Sequence, residues 1–245
     1  LYGGFRGTES VRSDRDWKNN PTVLDGEDRR RGVLGANNAT LDGFTVRNCD
    51  AWQGAGAFNA GTSPVFRNCV FSDNLATYGG GMFNSHGAPV IESCTFENNS
   101  GDGGYVYKRF AEVNDNAKAP VASLIGSGGA MYNVSGAPKL TGCEFVSNWA
   151  NHTGCIYVSG GTLSLTGCRL HSNTSEEGTA GITSYNAALH VEQCRFYSNN
   201  AGEWCSYGAR PGPPYCQTAD GGAIDLDGGS ATIRNSLFAG NNAYR

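Results

Sequence analysis

The residues best suited to chemistry are three aspartates near the end of the chain, Asp220, Asp225 and Asp227. Asp225 and Asp227 stand two residues apart, a spacing that puts two side chains on the same side of a β-strand. Grouped carboxylates can bind Ca²⁺ or supply the acid and the base that cleave a polysaccharide. The other carboxylates that share one place, Glu92 and Glu192, have two repeats between them. We therefore assign no catalytic residue, and Ca²⁺ at Asp225 and Asp227 is the one cofactor that the sequence suggests.

Histidine does not add to this group. The four histidines fall at four different places in the repeat described below, so we expect no constellation that contains one; they are His86, His152, His171 and His190.

Aromatic residues form a second group of candidates. Four of them occupy one place in a glycine-rich segment, namely Phe58, Phe83, Tyr132 and Tyr157, and the same place later holds Thr183 and Asp225. If the residues before them face inward, these rings face outward, and exposed aromatic side chains in a row indicate a ligand or partner surface. Two alternatives stay open: the rings fill the core, or other segments of the chain cover them.

Two long insertions contain further aromatic residues. One spans 100–127 and contains Tyr105 and Tyr107; the other spans 203–219 and contains Trp204 and Tyr215. Both interrupt the repeat at the same place, so we expect both to project from one edge, three coils or about 14 Å apart at the usual strand spacing. Loops of this length on a rigid scaffold often carry function.

The nine cysteines divide into two kinds. Six recur at one place in the repeat and are expected to be buried thiols, because free cysteine is among the most buried residue types; they are Cys49, Cys69, Cys94, Cys143, Cys168 and Cys194. Cys155 takes a small inward position. Cys205 and Cys216 lie in the second insertion, and we predict a disulfide between them, which indicates an oxidising compartment. No C-x-x-C pair or Cys–His cluster suggests zinc.

The repeat that positions these residues has the form C-x-F-x-x-N, at a period of 20 to 26 residues. Short alternating segments bounded by Gly, Pro, Asn and Ser predict strands, and a helical period is absent. Such a period predicts a solenoid. We predict an all-β parallel β-helix of about seven or more coils, each with two or three strands, as one domain over 1–245 in which 1–40 form irregular structure and the first coils.

The asparagines of the repeat are predicted to form a structural ladder at one corner. An inward amide can bond to unpaired backbone groups and to the asparagine of the next coil. The predicted ladder contains Asn74, Asn99, Asn148, Asn173, Asn199 and Asn241.

Two pairs of segments resemble the repeats of a known family. They are Gly128 to Met131 with Phe145 to Asn148, and Gly221 to Ile224 with Phe238 to Asn241. This GGA(I/M)/FxxN pattern resembles the repeats of chlamydial polymorphic outer-membrane proteins and of related secreted bacterial β-helix proteins. The resemblance covers nearly the whole chain and implies right-handed coils and export. It implies little about function, because members include adhesins and carbohydrate-active enzymes.

Composition narrows the function further. The formal net charge is −4 and the longest basic run is Arg29 to Arg31, so no nucleic-acid footprint is present. No apolar stretch approaches the ~18 residues of a membrane span. We expect a non-catalytic, extracellular or cell-surface module that is structural, filament-forming or adhesive. The alternative is a secreted polysaccharide lyase or hydrolase, or a carbohydrate-binding β-helix.

Self-association is a further expectation. Leu1 to Phe5 is predicted as a strand without a cap, and Ala231 to Arg245 show no charge or proline guard. Open strand edges pair with further strands. We therefore expect head-to-tail stacking into a filament or a longer solenoid, with glycans or cell-surface molecules as other partners.

Overall fold

The computed structural model describes residues 1–102, 126–202, 204–206, 215–217 and 219–244. The chain winds through seven coils, and each coil contributes one strand to each of four parallel sheets. The prediction of two or three strands per coil was wrong. The strand that sequence missed follows the ladder asparagine and in most coils has two residues, such as Ser100–Gly101, which is too short to show an alternating pattern.

Sheets I and II hold the glycine-rich and the aliphatic strands. Sheet I consists of β2 (Val33–Leu34), β6 (Ala57–Ala60), β10 (Met82–Ser85), β14 (Met131–Val134), β18 (Ile156–Ser159), β23 (Ile182–Tyr185) and β30 (Ile224–Asp227). Sheet II consists of β3 (Thr40–Asp42), β7 (Val65–Arg67), β11 (Val90–Glu92), β15 (Lys139–Thr141), β19 (Thr162–Thr166), β24 (Ala188–Glu192) and β31 (Ser230–Arg234).

Sheets III and IV hold the Cys–Phe strands and the strands after the asparagine corner. Sheet III consists of β1 (Thr22–Asp25), β4 (Phe44–Arg47), β8 (Val70–Ser72), β12 (Thr95–Glu97), β16 (Glu144–Val146), β20 (Arg169–His171), β25 (Arg195–Tyr197) and β32 (Leu237–Ala239). Sheet IV consists of β5 (Asp50–Gln53), β9 (Leu75–Tyr78), β13 (Ser100–Gly101), β17 (Trp149–Ala150), β21 (Thr174–Ser175), β26 (Asn200–Ala201) and β33 (Asn242–Ala243).

Four more strands and one helical turn complete the described elements. Strand β22 (Gly178–Thr179) pairs with β29 (Ala219–Gly221), and β27 (Trp204–Ser206) pairs with β28 (Tyr215–Gln217) as an antiparallel hairpin. A 3₁₀ turn spans Arg12–Asp14. Apart from that turn, the described part of the chain contains no helix.

The core consists of residue columns that run parallel to the helix axis. One column stacks inner phenylalanines: the ring centroids of Phe71 and Phe96 lie 4.9 Å apart, as do those of Phe96 and Phe145. The aliphatic column Phe66, Ile91, Leu140, Leu165 and Val191 is buried, whereas Ile233, its member in the last coil, is exposed. Burial of such side chains contributes roughly 1.5–3 kcal/mol each.

The cysteine column starts one coil later than the sequence suggested. In the register of β4 with β8, Phe44 takes the place above Cys69. Cys49 instead stands above Asn74, whose Oδ1 accepts the Cys49 N–H bond at 3.1 Å. The grouping of Cys49 with the other five was wrong, because its coil lacks the x-F-x-x-N continuation. All of these thiols and Cys155 are free and buried, which confirms the predicted thiol state.

The predicted asparagine ladder is confirmed. Its rungs repeat one pattern, seen at Asn148, whose Oδ1 accepts bonds from the backbone N and the Nδ2 of Asn99 at 3.1 and 3.0 Å. Its own Nδ2 donates to the carbonyl oxygen of Phe96 and to Oδ1 of Asn173, at 2.9 and 3.0 Å. Every amide atom of an interior rung therefore has a partner.

Sheet I contains a second, shorter ladder that sequence analysis missed. Asn59, Asn84 and Asn133 face inward, are fully buried, and join by two Nδ2-to-Oδ1 bonds of 2.6 Å. Asn59 Oδ1 and Asn133 Nδ2, at the two ends, have no hydrogen-bond partner. The next coil places Val158 under Asn133, which ends the ladder.

Residues 1–21 pack against the first coils. Tyr2 makes a single bridge to Asp42 rather than a strand. The buried Arg15 forms an ion pair with Asp42 at 2.7 Å and donates to the carbonyl oxygens of Gly3 and Asp42. The expected uncapped strand at Leu1 to Phe5 was therefore wrong, since Arg15 binds across it.

Candidate ligand-binding face

The outer face of sheet I carries the predicted aromatic column. Along β6 and β10, Ala57 and Met82 point into the core, and Phe58 and Phe83 point to the other side. Adjacent rings stack almost in parallel, at 5.3 Å for Phe58–Phe83, 5.6 Å for Phe83–Tyr132 and 4.6 Å for Tyr132–Tyr157. The alternative in which these rings fill the core is excluded.

The stacking determines which atoms remain for a ligand. Because the ring faces contact one another, a ligand on this face would meet ring edges and phenol groups rather than ring faces. Phe83 is only 6 % exposed, so its ring belongs to the stack rather than to the surface. Burial raises the pKa of both Tyr132 and Tyr157.

The first end of the column is closed by a cation. The guanidinium carbon of Arg31 lies 4.6 Å from the ring centroid of Phe58. Arg31 also donates to the carbonyl oxygens of Gln53 and Gly54, at 2.9 and 3.1 Å. Such a cation–π contact stabilises a partly buried ring by about 1 kcal/mol.

A second column runs beside the first, on the corner that leads into sheet I. Each residue of this column is joined to the next by a single β-bridge, in the order Tyr78, Ser127, Thr153 and Thr179. Tyr78 reaches across to the Tyr132 ring at 5.0 Å, and Thr153 Oγ1 donates to Thr183 Oγ1 at 2.9 Å. The two columns are thus in contact.

Both insertions leave the scaffold at this corner. The first departs after Gly101 and returns by Ser127; the second departs after Ala201 and returns by Ala219. Both follow a strand of sheet IV and precede one of sheet I, so the prediction that they share an edge is confirmed at their anchor points. Tyr105 and Tyr107 lie outside the described residues, and for Trp204 and Tyr215 only the backbone is described.

The far end of the column is acidic. In the register of β23 with β30, Asp225 lies opposite Thr183. Asp227, two residues further along β30, lies opposite Tyr185. Burial raises the pKa of Asp225, and the negative charges of Asp220 and Asp227 raise it further. Among the described residues, no three His, Cys, Asp or Glu side chains are arranged to hold a metal; the Ca²⁺ site at Asp225 and Asp227 stays a prediction.

Glu177 and His152 belong to this acidic end, and sequence analysis missed both. Burial raises the pKa of Glu177, with Glu176 and Asp220 adding to the effect, whereas His152 opposes it. His152 has the same effect on Asp225. The expectation that no histidine joins a constellation was wrong, as the contact of His171 with Glu144 shows. Glu177 lies in the corner before β22, where sequence alone gives no register.

His171 joins a constellation of its own on the outer face of sheet III. Its Nε2 lies 3.2 Å from Glu144 Oε1, which also accepts a 3.0 Å bond from Arg169 Nε. Its ring stacks on Tyr197 at 4.6 Å. Arg169 and His171 together lower the pKa of Glu144. The signal in the sequence was alternation: residues 169 and 171 share one face of a strand.

The backbone of the β27–β28 hairpin places Cys205 directly opposite Cys216. Directly opposed residues in antiparallel strands have Cα atoms about 4.5–5.5 Å apart, within the range of a disulfide. The disulfide itself stays a prediction.

Comparison with known proteins supports the fold. Residues 27–119 match the family model for the right handed beta helix region. With the four parallel sheets, this match shows a right-handed parallel β-helix. No curated protein and no solved structure matches the chain. No helix of the described residues has the length and apolar character needed to cross a membrane.

Proposed function

We propose that this β-helix is a non-catalytic, extracellular adhesive module that binds a glycan along the outer face of sheet I. The observation that carries the proposal is one continuous column that changes from stacked aromatic rings to carboxylates, beside the corner where both insertions leave the scaffold. The resemblance of the GGA(I/M)/FxxN repeats to those of bacterial surface proteins supports the extracellular and adhesive parts of the proposal.

The chemistry of the face suits a saccharide. Ring edges from Phe58 to Tyr157 form an apolar strip that can contact the C–H groups of sugar rings. Tyrosine hydroxyls donate and accept hydrogen bonds, and the carboxylates of Asp225 and Asp227 accept them from sugar hydroxyls. An apolar surface with a few fixed polar groups is the usual composition of a ligand site.

The test is affinity electrophoresis of the whole chain on neutral and acidic polysaccharides. We expect at least one polysaccharide to retain the protein, and Tyr157→Ala and Asp225→Asn each to weaken retention about tenfold, the effect of roughly 1.4 kcal/mol. Thr166→Ala, on the outer face of sheet II, is the matched control and should bind like the original chain. A chain that no polysaccharide retains, or that binds equally well with Tyr157→Ala, contradicts the proposal.

A specific observation favours a second function, polysaccharide cleavage. Asp225 and Asp227 lie two residues apart on β30 and so share one face of the strand, and burial raises the pKa of Asp225 and of Glu177, as it does for the acid of a hydrolase. Incubation of the chain with the polysaccharides that it binds separates the two functions. Reducing ends or unsaturated products that disappear in Asp225→Asn would replace the adhesive proposal with the enzymatic one.

The last coil suggests how the module is arranged with others. Its inward side chains Ile233 and Phe238 are 42 % and 41 % exposed, and Phe238 stacks on Phe196 at 4.7 Å. We propose that another β-helix coil covers this surface, either in a longer solenoid or in a second copy of the chain. Light scattering and electron microscopy should show head-to-tail assemblies that Phe238→Glu abolishes; monomers at all concentrations would exclude the second copy.

A further inference from the structure

A cleft of about 250 Å³ lies on the outside of the corner between sheets II and III. It is lined by Gly167, Cys168, Arg169, Gln193 and Arg195. Gly167 opens this cleft: a Cβ atom placed there would meet nothing within 4 Å. At the next coil Gln193 takes the same left-handed corner position, with φ of 55°.

The charge of this cleft is unbalanced. Arg169 and Arg195 stand directly opposite each other on β20 and β25, both on the outer face. Like charges at opposed positions of a sheet repel. Glu144 neutralises Arg169, whereas within the described part of the chain no carboxylate forms an ion pair with Arg195.

Hydrogen-bond donors also remain free. Glu144 binds Arg169 through Nε, so the two Nη groups of Arg169 keep their donors. Glu144 is itself held by His171 at 3.2 Å, which fixes the position of the Arg169–Glu144 pair. The Arg195 guanidinium and the Gln193 amide add donors from the next coil.

We infer that this cleft binds a tetrahedral oxyanion, sulfate or phosphate, borne on an extended ligand. Two guanidinium groups and an amide line one cleft, with the two arginines on neighbouring strands about 4.8 Å apart, so three donor groups surround one small volume. A tetrahedral oxyanion has enough oxygen atoms to accept from all three, whereas a carboxylate has two. The bound anion also removes the repulsion between the two arginines.

The same corner shows that the arginine pair is local. A larger cleft of about 350 Å³ lies on it near the start of the chain, and Trp17, Lys18, Thr45, Val70 and Thr95 are among its lining residues. It has no arginine. The oxyanion site is therefore confined to two coils, on a different sheet from the proposed glycan face, and it does not depend on that proposal.

Thermal unfolding of the full chain with sodium sulfate, phosphate or acetate at constant ionic strength tests the inference, because a ligand of the folded state raises the midpoint. Sulfate and phosphate should raise the midpoint more than acetate, and Arg195→Gln should reduce this difference, which general exclusion of the anions would leave unchanged. Arg195→Gln should weaken sulfate binding about tenfold, the loss of one charge-assisted hydrogen bond. Arg234→Gln, on the outer face of sheet II one coil on, changes net charge equally and should bind like the original chain.

A second variant must act in the opposite direction. Glu144→Gln removes the partner of Arg169, so sulfate affinity should rise several-fold, whereas Glu92→Gln, at the ion pair with Arg67, should leave it unchanged. A sulfated oligosaccharide should bind more tightly than its desulfated form, and Arg195→Gln should remove that difference. The inference is overturned if Arg195→Gln keeps its sulfate affinity, if Arg234→Gln loses as much, if acetate equals sulfate, or if the sulfated saccharide fails to bind.

Discussion

The asparagine ladder inside the helix and the aromatic column on its outer face each take one residue from each coil, but they end differently. The ladder keeps its residue type from Asn74 to Asn241, and each interior rung binds both the next rung and the backbone. The aromatic column stops at Tyr157 and continues as Thr183 and Asp225. Repetition inside maintains the fold, and the change of chemistry outside marks the place where we propose that a ligand binds.

The largest expected effect separates the two asparagine ladders. Asn148→Val leaves the N–H and Nδ2 of Asn99, the Phe96 carbonyl oxygen and Asn173 Oδ1 short of a partner, so it should destabilise the chain by about 3 kcal/mol or more. Asn133→Val removes the unpaired Nδ2 of Asn133 and leaves the Nδ2 of Asn84 without its acceptor. It should therefore cost about 1 kcal/mol or less. Urea unfolding measures both. If both variants lose the same free energy of unfolding, the fully hydrogen-bonded rung at Asn148 stabilises the chain no more than the incomplete one at Asn133.

Stability and binding should respond in opposite order along the aromatic column. Tyr132 contacts the rings of Phe83, Tyr157 and Tyr78, whereas Tyr157 stacks on Tyr132 alone. Tyr132→Ala should therefore cost about 2 kcal/mol and Tyr157→Ala about 1 kcal/mol. Tyr157 is the aromatic residue nearest the carboxylates, with only Thr183 between it and Asp225 in the column, so its loss should weaken glycan retention more. If Tyr157→Ala costs more stability, or Tyr132→Ala weakens retention more, the two roles are not divided in this way.

A smaller effect is expected in the cysteine column. Cys143→Ser should destabilise by about 1 kcal/mol, at the lower end of the cost of a buried hydroxyl, because the hydroxyl can find a partner. Ser236 shows how: its Oγ donates to the Arg234 carbonyl oxygen at 2.8 Å. Thermal unfolding of Cys143→Ser beside Cys143→Ala measures the effect. If Cys143→Ser is much less stable than Cys143→Ala, the serine hydroxyl stays unpaired inside the helix.

The smallest effects depend on pH. Burial raises the pKa of Asp225 in the folded chain. The protonated side chain therefore contributes to stability at a pH below its pKa in the unfolded chain, and this contribution is lost as the pH rises through the folded pKa. Asp225→Asn should therefore raise the unfolding midpoint by about 1–3 °C near pH 7 and not at about pH 3. The pKa of Glu144 is lowered by Arg169, so Glu144→Gln should lower the midpoint near pH 7 and have no effect in acid. A gain from Asp225→Asn that persists in acid would rule out the electrostatic cause.

The sequence predicted the interior of this molecule better than its corners. The period of the C-x-F-x-x-N repeat placed the asparagines of the ladder correctly, since one column needs one residue type. Cys49 was misplaced because a cysteine fits both the thiol column and the place above Asn74. Glu177 and His152 were missed because corners have no alternation that could place them. The pairing of His171 with Glu144 needed the register between two coils.

Because Phe96 lies directly opposite Phe145 across the first insertion, the interruption causes no offset between the coils on either side. Distances along the helix axis are therefore discrete, in steps of one coil or about 4.8 Å. Duplication or loss of one coil would move the aromatic end, the acidic end and the two insertions relative to one another by that step, with every column still in register. Relatives of this chain could thus match ligands of different length by whole-coil changes, without redesign of the core.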